Sequence, residues 1–201
     1  MQSQRPDLAL VCGDISDFGD AMDLQAVLDA FFGEVPGFYI TGNCDPLELL
    51  TKGAPGFEDR NLHAKAKLVG TTLIVGLGGS TPTPGPTPTQ LREDEILTIM
   101  LGLTGEVEDQ HHESLIFLFH NPPFNTKTDL SSKGNHAGSR ILRDFILRLK
   151  PQIVFHGHIH EARGIDKLDG TYIVNPGPAF YGYYALATLE DGHATVELKE
   201  T

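Results

Sequence analysis

The sequence predicts a mixed α/β domain of many strands, on three observations. Short, wholly apolar runs recur along the 201 residues and stop at Gly, Asp, Asn or His, as strands buried on both faces of a parallel sheet do. Segments with apolar residues at helical spacing separate several of these runs. At 40% hydrophobic and 21% charged, the composition is that of a globular domain with enough apolar material for a substantial core.

The first run, Leu8 to Cys12, ends at Gly13-Asp14. Ala21 to Phe32 follows, with Leu24, Val27, Leu28 and Phe31 spaced as one face of a helix. Phe38 to Thr41 is the next strand, ending at Gly42-Asn43. Strand, helix and strand in that order imply a parallel pair with a crossover helix. Ala66 to Val69 and Thr72 to Leu77 read as two strands around Gly70. Ser80 to Pro88 is so rich in proline that it predicts an exposed loop, because proline fixes φ and lacks an amide donor. Thr89 is then a helix cap for a segment running to about Leu101. Ser114 to Phe119 is an apolar strand ending at His120. Ser139 to Lys150 is an amphipathic helix stopped by Pro151, and Ile153 to Phe155 is a strand leading to His156-Gly157. Thr171 to Val174, Tyr184 to Leu189 and Ala194 to Leu198 are late strands, the last two around the turn Glu190 to Gly192. No internal repeat is visible, and one domain over 1–201 is the expected organisation.

Fifteen Lys and Arg against 27 Asp and Glu leave a net charge of −12. This weighs against a broad nucleic-acid surface, which needs clustered cations. No apolar run reaches the ~18 residues of a membrane span, and the N-terminal residues do not lead into a signal peptide. Two cysteines, Cys12 and Cys44, make no disulfide framework, so a reducing cytoplasm is the simplest setting.

Four loops at predicted strand ends carry metal-ligand chemistry: Gly13-Asp14-Ile-Ser-Asp17, Gly42-Asn43-Cys44-Asp45, His120-Asn-Pro-Pro123 and Gly157-His158-Ile-His160. Ligand sites of open α/β sheets lie beyond the carboxyl ends of the strands, where residues distant in sequence converge. A carboxylate can bridge two cations, imidazoles suit Zn, Mn, Fe or Ni, and an amide oxygen adds a neutral donor. Each string alone is weak; the ordered set of four is strong.

In content and order these motifs resemble the calcineurin-like metallophosphoesterases, from Asp7 to about Gly177. The closing Thr171-Tyr-Ile-Val-Asn-Pro-Gly177 is similar to the small prokaryotic phosphodiesterase-like members. The resemblance implies a four-layer α/β/β/α sandwich and hydrolysis of a phosphomonoester or phosphodiester, the diester slightly preferred. It also implies two divalent ions (Mn, Fe, Zn or Ni) roughly 3.5–4 Å apart that activate a water for in-line attack on phosphorus. Asp14 would bridge both ions, Asn43, His120 and His158 would complete one shell, and His160 would serve the other. The family's first motif, Asp-x-His, has no counterpart here, which leaves the second ion short of ligands. The resemblance therefore implies that the first strand and helix lie upstream of Met1, in roughly 30 residues. Many members also have His where Cys44 stands, a residue credited with protonating the leaving group.

Simpler roles compete for several residues. Asp17 and Asp45 are expected to stabilise loops or orient ligands. His136 is a candidate contact for the substrate phosphate, with a solvated loop histidine as the equal alternative. His156 is expected to pack beside the site without binding metal, and His63, His111, His112 and His193 to lie on the surface. His158 and His160 alternate as residues on one face of a strand do. The partner expected is a small phosphorylated substrate; a homo-oligomer is left open. The rival is a protein-interaction module, because a retromer subunit with this fold serves as a platform without evident catalysis. A nuclease is a third reading, weakened by the acidic balance and the lack of a basic stripe.

Overall fold

The computed structural model describes residues 6–33, 35–190 and 192–201. Residues 1–5, and Asp191 in the turn expected at Glu190 to Gly192, lie outside them.

The chain opens with β1 (Ala9–Val11), α1 (Ala21–Phe32) and β2 (Gly37–Tyr39). β1 and β2 pair in parallel, with Leu10 opposite Phe38, as the strand–helix–strand pattern requires. Asp20 starts α1 by accepting from the amides of Met22 and Asp23 at 2.8 and 3.2 Å, while Asp23 accepts from the Asp20 amide at 2.9 Å. This reciprocal cap satisfies amides that the helix cannot. The packed stripe steps by four through Leu24, Leu28 and Phe32. Phe32 is thus the ring that enters the core, whereas Phe31, expected there from its spacing, is exposed. The Phe32 ring lies where a Cβ on Gly37 would be, so this position of β2 has room only for glycine.

A second, six-stranded sheet has the order β3-β4-β5-β6-β8-β7. Its members are β3 (Lys65–Val69), β4 (Thr72–Leu77), β5 (Ser114–Phe119), β6 (Ile153–Phe155), β7 (Gly164–Leu168) and β8 (Thr171–Asn175). β4, β5, β6 and β8 run parallel, and β3 and β7 close the edges antiparallel. α2 (Leu47–Lys52) and β7 were not apparent in the sequence. β9 (Tyr183–Glu190) and β10 (His193–Glu200) form an antiparallel hairpin.

Alternation explains why β4 and β5 read as continuous apolar runs. Leu73, Val75 and Leu77 of β4 and Leu115, Phe117 and Phe119 of β5 face α3 (Glu93–Asp109) and α4 (Arg140–Leu149) in one core cluster. Ile74, Ile116 and Leu118 point the other way, into a cluster with Ile40, Leu62 and the partly buried Leu8, Leu10 and Phe38. Ala9 and Val11 of β1 face the third cluster, built on Ile15, Leu24, Leu28, Phe32 and Tyr39. The β1–β2 pair thus sits between α1 and the large sheet, with one face toward each.

α3 corrects an expectation. It begins at Glu93, behind Arg92, whose amide donates to Glu95 at 2.7 Å, and it continues to Asp109 through Gly102 and Gly105. Thr89 is not its cap: its buried hydroxyl donates to the carbonyl of Asp45 at 2.7 Å. The expected α4 appears as Arg140–Leu149, with the Ser139 hydroxyl accepting from the Leu142 amide at 3.1 Å.

Candidate metal centre

The loops after β1, β2, β5 and β6 meet at the carboxyl ends of their strands. Gly13, at φ 85°, makes the first approach possible. A Cβ there would lie 2.6 Å from the Gly42 amide nitrogen and 2.7 Å from Nδ1 of His120. Asp14 follows at φ 50°, and its Oδ1 accepts from the Cys44 amide at 2.8 Å. The two loops are held together by the buried Asp45. Its carboxyl group accepts from the amides of Ile15, Ser16 and Gly42 at 3.1, 2.8 and 2.7 Å, and from the Ser16 hydroxyl at 3.0 Å. Asp45 thus has the loop-stabilising role expected of it, while Asp17 is exposed.

His120 lies directly after β5 and is 1% exposed. Its Nδ1 is 2.7 Å from the Cys12 carbonyl oxygen. That oxygen can only accept, so Nδ1 carries the proton. Nε2 is turned to Asn43 Oδ1 at 2.9 Å and to Asp14 Oδ2 at 3.4 Å. Three lone-pair-bearing atoms facing one another demand a proton or a cation between them. The electrostatics reflect this demand: burial disfavours charge on His120, yet the neighbouring Asp14 raises its pKa. Burial likewise works against the Asp14 carboxylate, but His120 and the Cys44 amide hold its pKa well below the usual range. Burial and the proximity of His120 lower the pKa of His158.

The His158 ring lies edge-on to that of His120, with centroids 5.2 Å apart. His158 stands at φ 70°, a left-handed conformation uncommon for a side-chain-bearing residue and found preferentially at functional sites. Its neighbours fix it. The Gly157 amide donates to the His120 carbonyl at 3.1 Å, and Asn175 Nδ2 donates to the Ile159 carbonyl at 2.7 Å. This overturns the strand reading of His158 and His160: β6 stops at Phe155, and His160 opens a 3₁₀ turn, His160–Ala162.

Among the described residues, Asp14, His120 and His158 form a group whose ligand atoms lie within 4.8 Å of one another. A carboxylate and two imidazoles suit a divalent transition-metal ion, and the amide oxygen of Asn43 is at hand. The residues present therefore fit a metal ion. His160 is not in this group; it is exposed, with its ring 6.0 Å from that of Phe180.

The remaining histidines divide sharply. His156 is buried, its Nε2 2.8 Å from the Thr128 hydroxyl, and burial lowers its pKa to about 4. His63 corrects an expectation: it is buried, not on the surface, and its Nδ1 accepts from the Gly78 amide at 3.1 Å. His136 Nδ1 is 2.6 Å from Asp129 Oδ1, with 31% of the imidazole side chain exposed. Asp129 is itself fixed by the amides of Asn125, Thr126 and Gly138 at 3.0, 2.9 and 3.1 Å. Asp129 gave no signal in the sequence, since its partners are brought to it by the loop's own path. Both thiols are free. Burial pushes Cys12 up to about 12, and burial with the nearby Asp14 does the same for Cys44.

A family model described as metallophosphoesterase, calcineurin superfamily, matches residues 18–200. The chain belongs to that family. An uncharacterized protein of Methanocaldococcus jannaschii is 33% identical over 182 residues, which are 89% of this chain and 80% of that one. One crystal structure matches with a TM-score of 0.75 at 22% identity, over 98% of this chain and 89% of the other. The crystal structure of TT1561 of Thermus thermophilus matches with a TM-score of 0.65 at 18% identity, over 96% and 86%. These structures share the fold. No helix of the described residues is long and apolar enough to cross a membrane.

Proposed function

We propose that this protein is a metal-dependent phosphoesterase that hydrolyses a small phosphodiester or phosphomonoester, the diester preferred. The observation that carries the reading is the convergence of Asp14, His120 and His158 in a chain of metallophosphoesterase family. Asp14, Asn43, His120 and His158 would hold one ion, with Asp14 and His160 toward a second. Bound metal would supply a water activated at neutral pH and positive charge for the phosphoryl oxygens.

The chain's own residues do the rest. The Cys12 carbonyl keeps the His120 proton on Nδ1, leaving Nε2 directed to the centre. Cys44 holds Asp14 through its amide, which fixes one carboxylate oxygen and leaves the other free to bind. Asp129 orients His136, whose Nε2 would contact the substrate phosphate. A thiol at position 44 in place of an imidazole favours substrates whose leaving groups need little protonation.

The test pairs metal analysis with hydrolysis of bis(p-nitrophenyl) phosphate and p-nitrophenyl phosphate. His158→Ala should lose bound metal and at least tenfold in turnover, with His193→Ala, on the exposed hairpin, as the control. Wild-type protein that binds no divalent metal and turns over neither ester would sink the reading. The interaction-module reading would then stand, supported by the exposure of His160, which is not among the three grouped donors.

A further inference from the structure

Among the described residues, the two most exposed large apolar side chains stand beside the loop that carries His158 and His160. Phe180 and Tyr181 are 72% and 65% exposed. Their ring centroids are 4.4 Å apart, and Phe180 stands edge-on to His160 at 6.0 Å. Tyr183 extends the row, 5.9 Å from Tyr181, with the Arg163 guanidinium 4.2 Å above its ring.

This row is built into the site's framework. The 3₁₀ turn Ala179–Tyr181 carries Phe180 and Tyr181 and is closed by Gly182 at φ 78°, whose amide donates to the Ala179 carbonyl at 2.8 Å. Asn175, 1% exposed, ties it to the donor loop. Its Nδ2 donates to the Ile159 carbonyl at 2.7 Å and its Oδ1 accepts from the Gly177 amide at 3.0 Å. One buried amide thus anchors both the segment bearing His158 and His160 and the segment leading to Phe180.

Apolar area left in water forgoes about 25 cal/mol per Å², and a contiguous exposed aromatic patch marks a contact surface. The position of this one, against His160, and its chemistry point to the substrate. Arg163 is engaged with the carbonyls of Pro176 and Lys199 at 3.0 and 3.2 Å, and the chain's net charge is −12. Ring faces, not cations, are what the row offers a ligand, and a flat heterocycle matches them.

We propose that Phe180 and Tyr181 form a stacking subsite for the base of a nucleoside phosphoester, resting on the phosphoesterase reading above. The test compares methyl p-nitrophenyl phosphate with the p-nitrophenyl ester of thymidine 5′-phosphate. In both esters water adds to phosphorus and p-nitrophenolate leaves, so only the second carries a base. Stacking on an aromatic side chain is worth about 1–3 kcal/mol per base, so kcat/KM should favour the thymidine ester by about tenfold, chiefly through KM. Phe180→Ala should erase that preference and Phe180→Trp should keep it. Equal kcat/KM for the two esters, or a preference that survives Phe180→Ala, overturns the subsite. If neither ester is hydrolysed, the diesterase part of the reading fails, and calorimetric titration with thymidine 5′-monophosphate decides the subsite alone. Binding lost in Phe180→Ala supports it, and equal or absent binding overturns it. A dimer that Phe180→Ala converts to a monomer would make the row an interface between copies, which also overturns it.

Discussion

His63 shows how much one side chain's surroundings decide. Asn61 Oδ1 accepts from the His63 amide at 3.0 Å, and the ring accepts from Gly78, so the neutral imidazole is the form that fits. Burial, with Lys65 nearby, lowers its pKa from 6.5 to about 4. The unfolded chain therefore binds a proton between these values that the folded chain refuses. Stability is full above about pH 6.5 and is lost as pH falls toward 4, by about 3 kcal/mol at most. His63→Gln, which keeps an acceptor without the titration, should flatten the fall in melting temperature between pH 7 and pH 4.5. A wild-type and variant pair that lose stability in parallel over that range would refute this account.

Among the elements, the loops after β1 and β2 depend on Asp45. Asp45→Ala would leave three amides and a hydroxyl without their acceptor in a buried place, at a cost of about 3–5 kcal/mol. Asp45→Asn retains one acceptor oxygen and should cost less. Melting temperature and metal affinity should fall together in the alanine variant, since the same side chain sets the approach of Asp14 to Asn43. An Asp45→Ala protein with wild-type metal affinity would show that the loops keep their places unaided. Elements of this kind were legible in the sequence where their signals are local. The apolar runs of β4 and β5, the steps of α1 and α4, and the donors at strand ends all stand in the order of residues. What was not legible is non-local. Thr89 resembles a cap, but its hydroxyl is taken by a carbonyl 44 residues away. Nothing near His63 in sequence announces its burial, and the apolar content of Gly164–Leu168 is too thin to mark β7. The identity of His158 was readable from its motif, but its left-handed backbone was not, because Asn175 and the His120 carbonyl impose it from other strands.

At the scale of the molecule, the donor group spans two sheets. Asp14 and Asn43 follow the strands of the small pair, and His120 and His158 follow strands of the large one. Mn²⁺ added to metal-free protein should therefore raise the melting temperature, because a ligand that binds only the folded state stabilises it by about 2.7 kcal/mol at one hundred times its Kd. Calorimetry should resolve one tight and one weak binding event, the weak one at Asp14 and His160. Two equally tight events, or no thermal shift, would contradict the assignment. The seam between the sheets also has a consequence for assembly. Its apolar filling, Ile40, Leu62, Ile74, Ile116 and Leu118, has no directional preference of its own and tolerates small slips between the layers. The donors beyond the strand ends do not, because a shift of a few ångströms parts Asp14 from His120. An ion held there would be a clasp that selects one alignment of the two sheets, so a cation bound for the proposed chemistry would also proofread the docking that creates its own site.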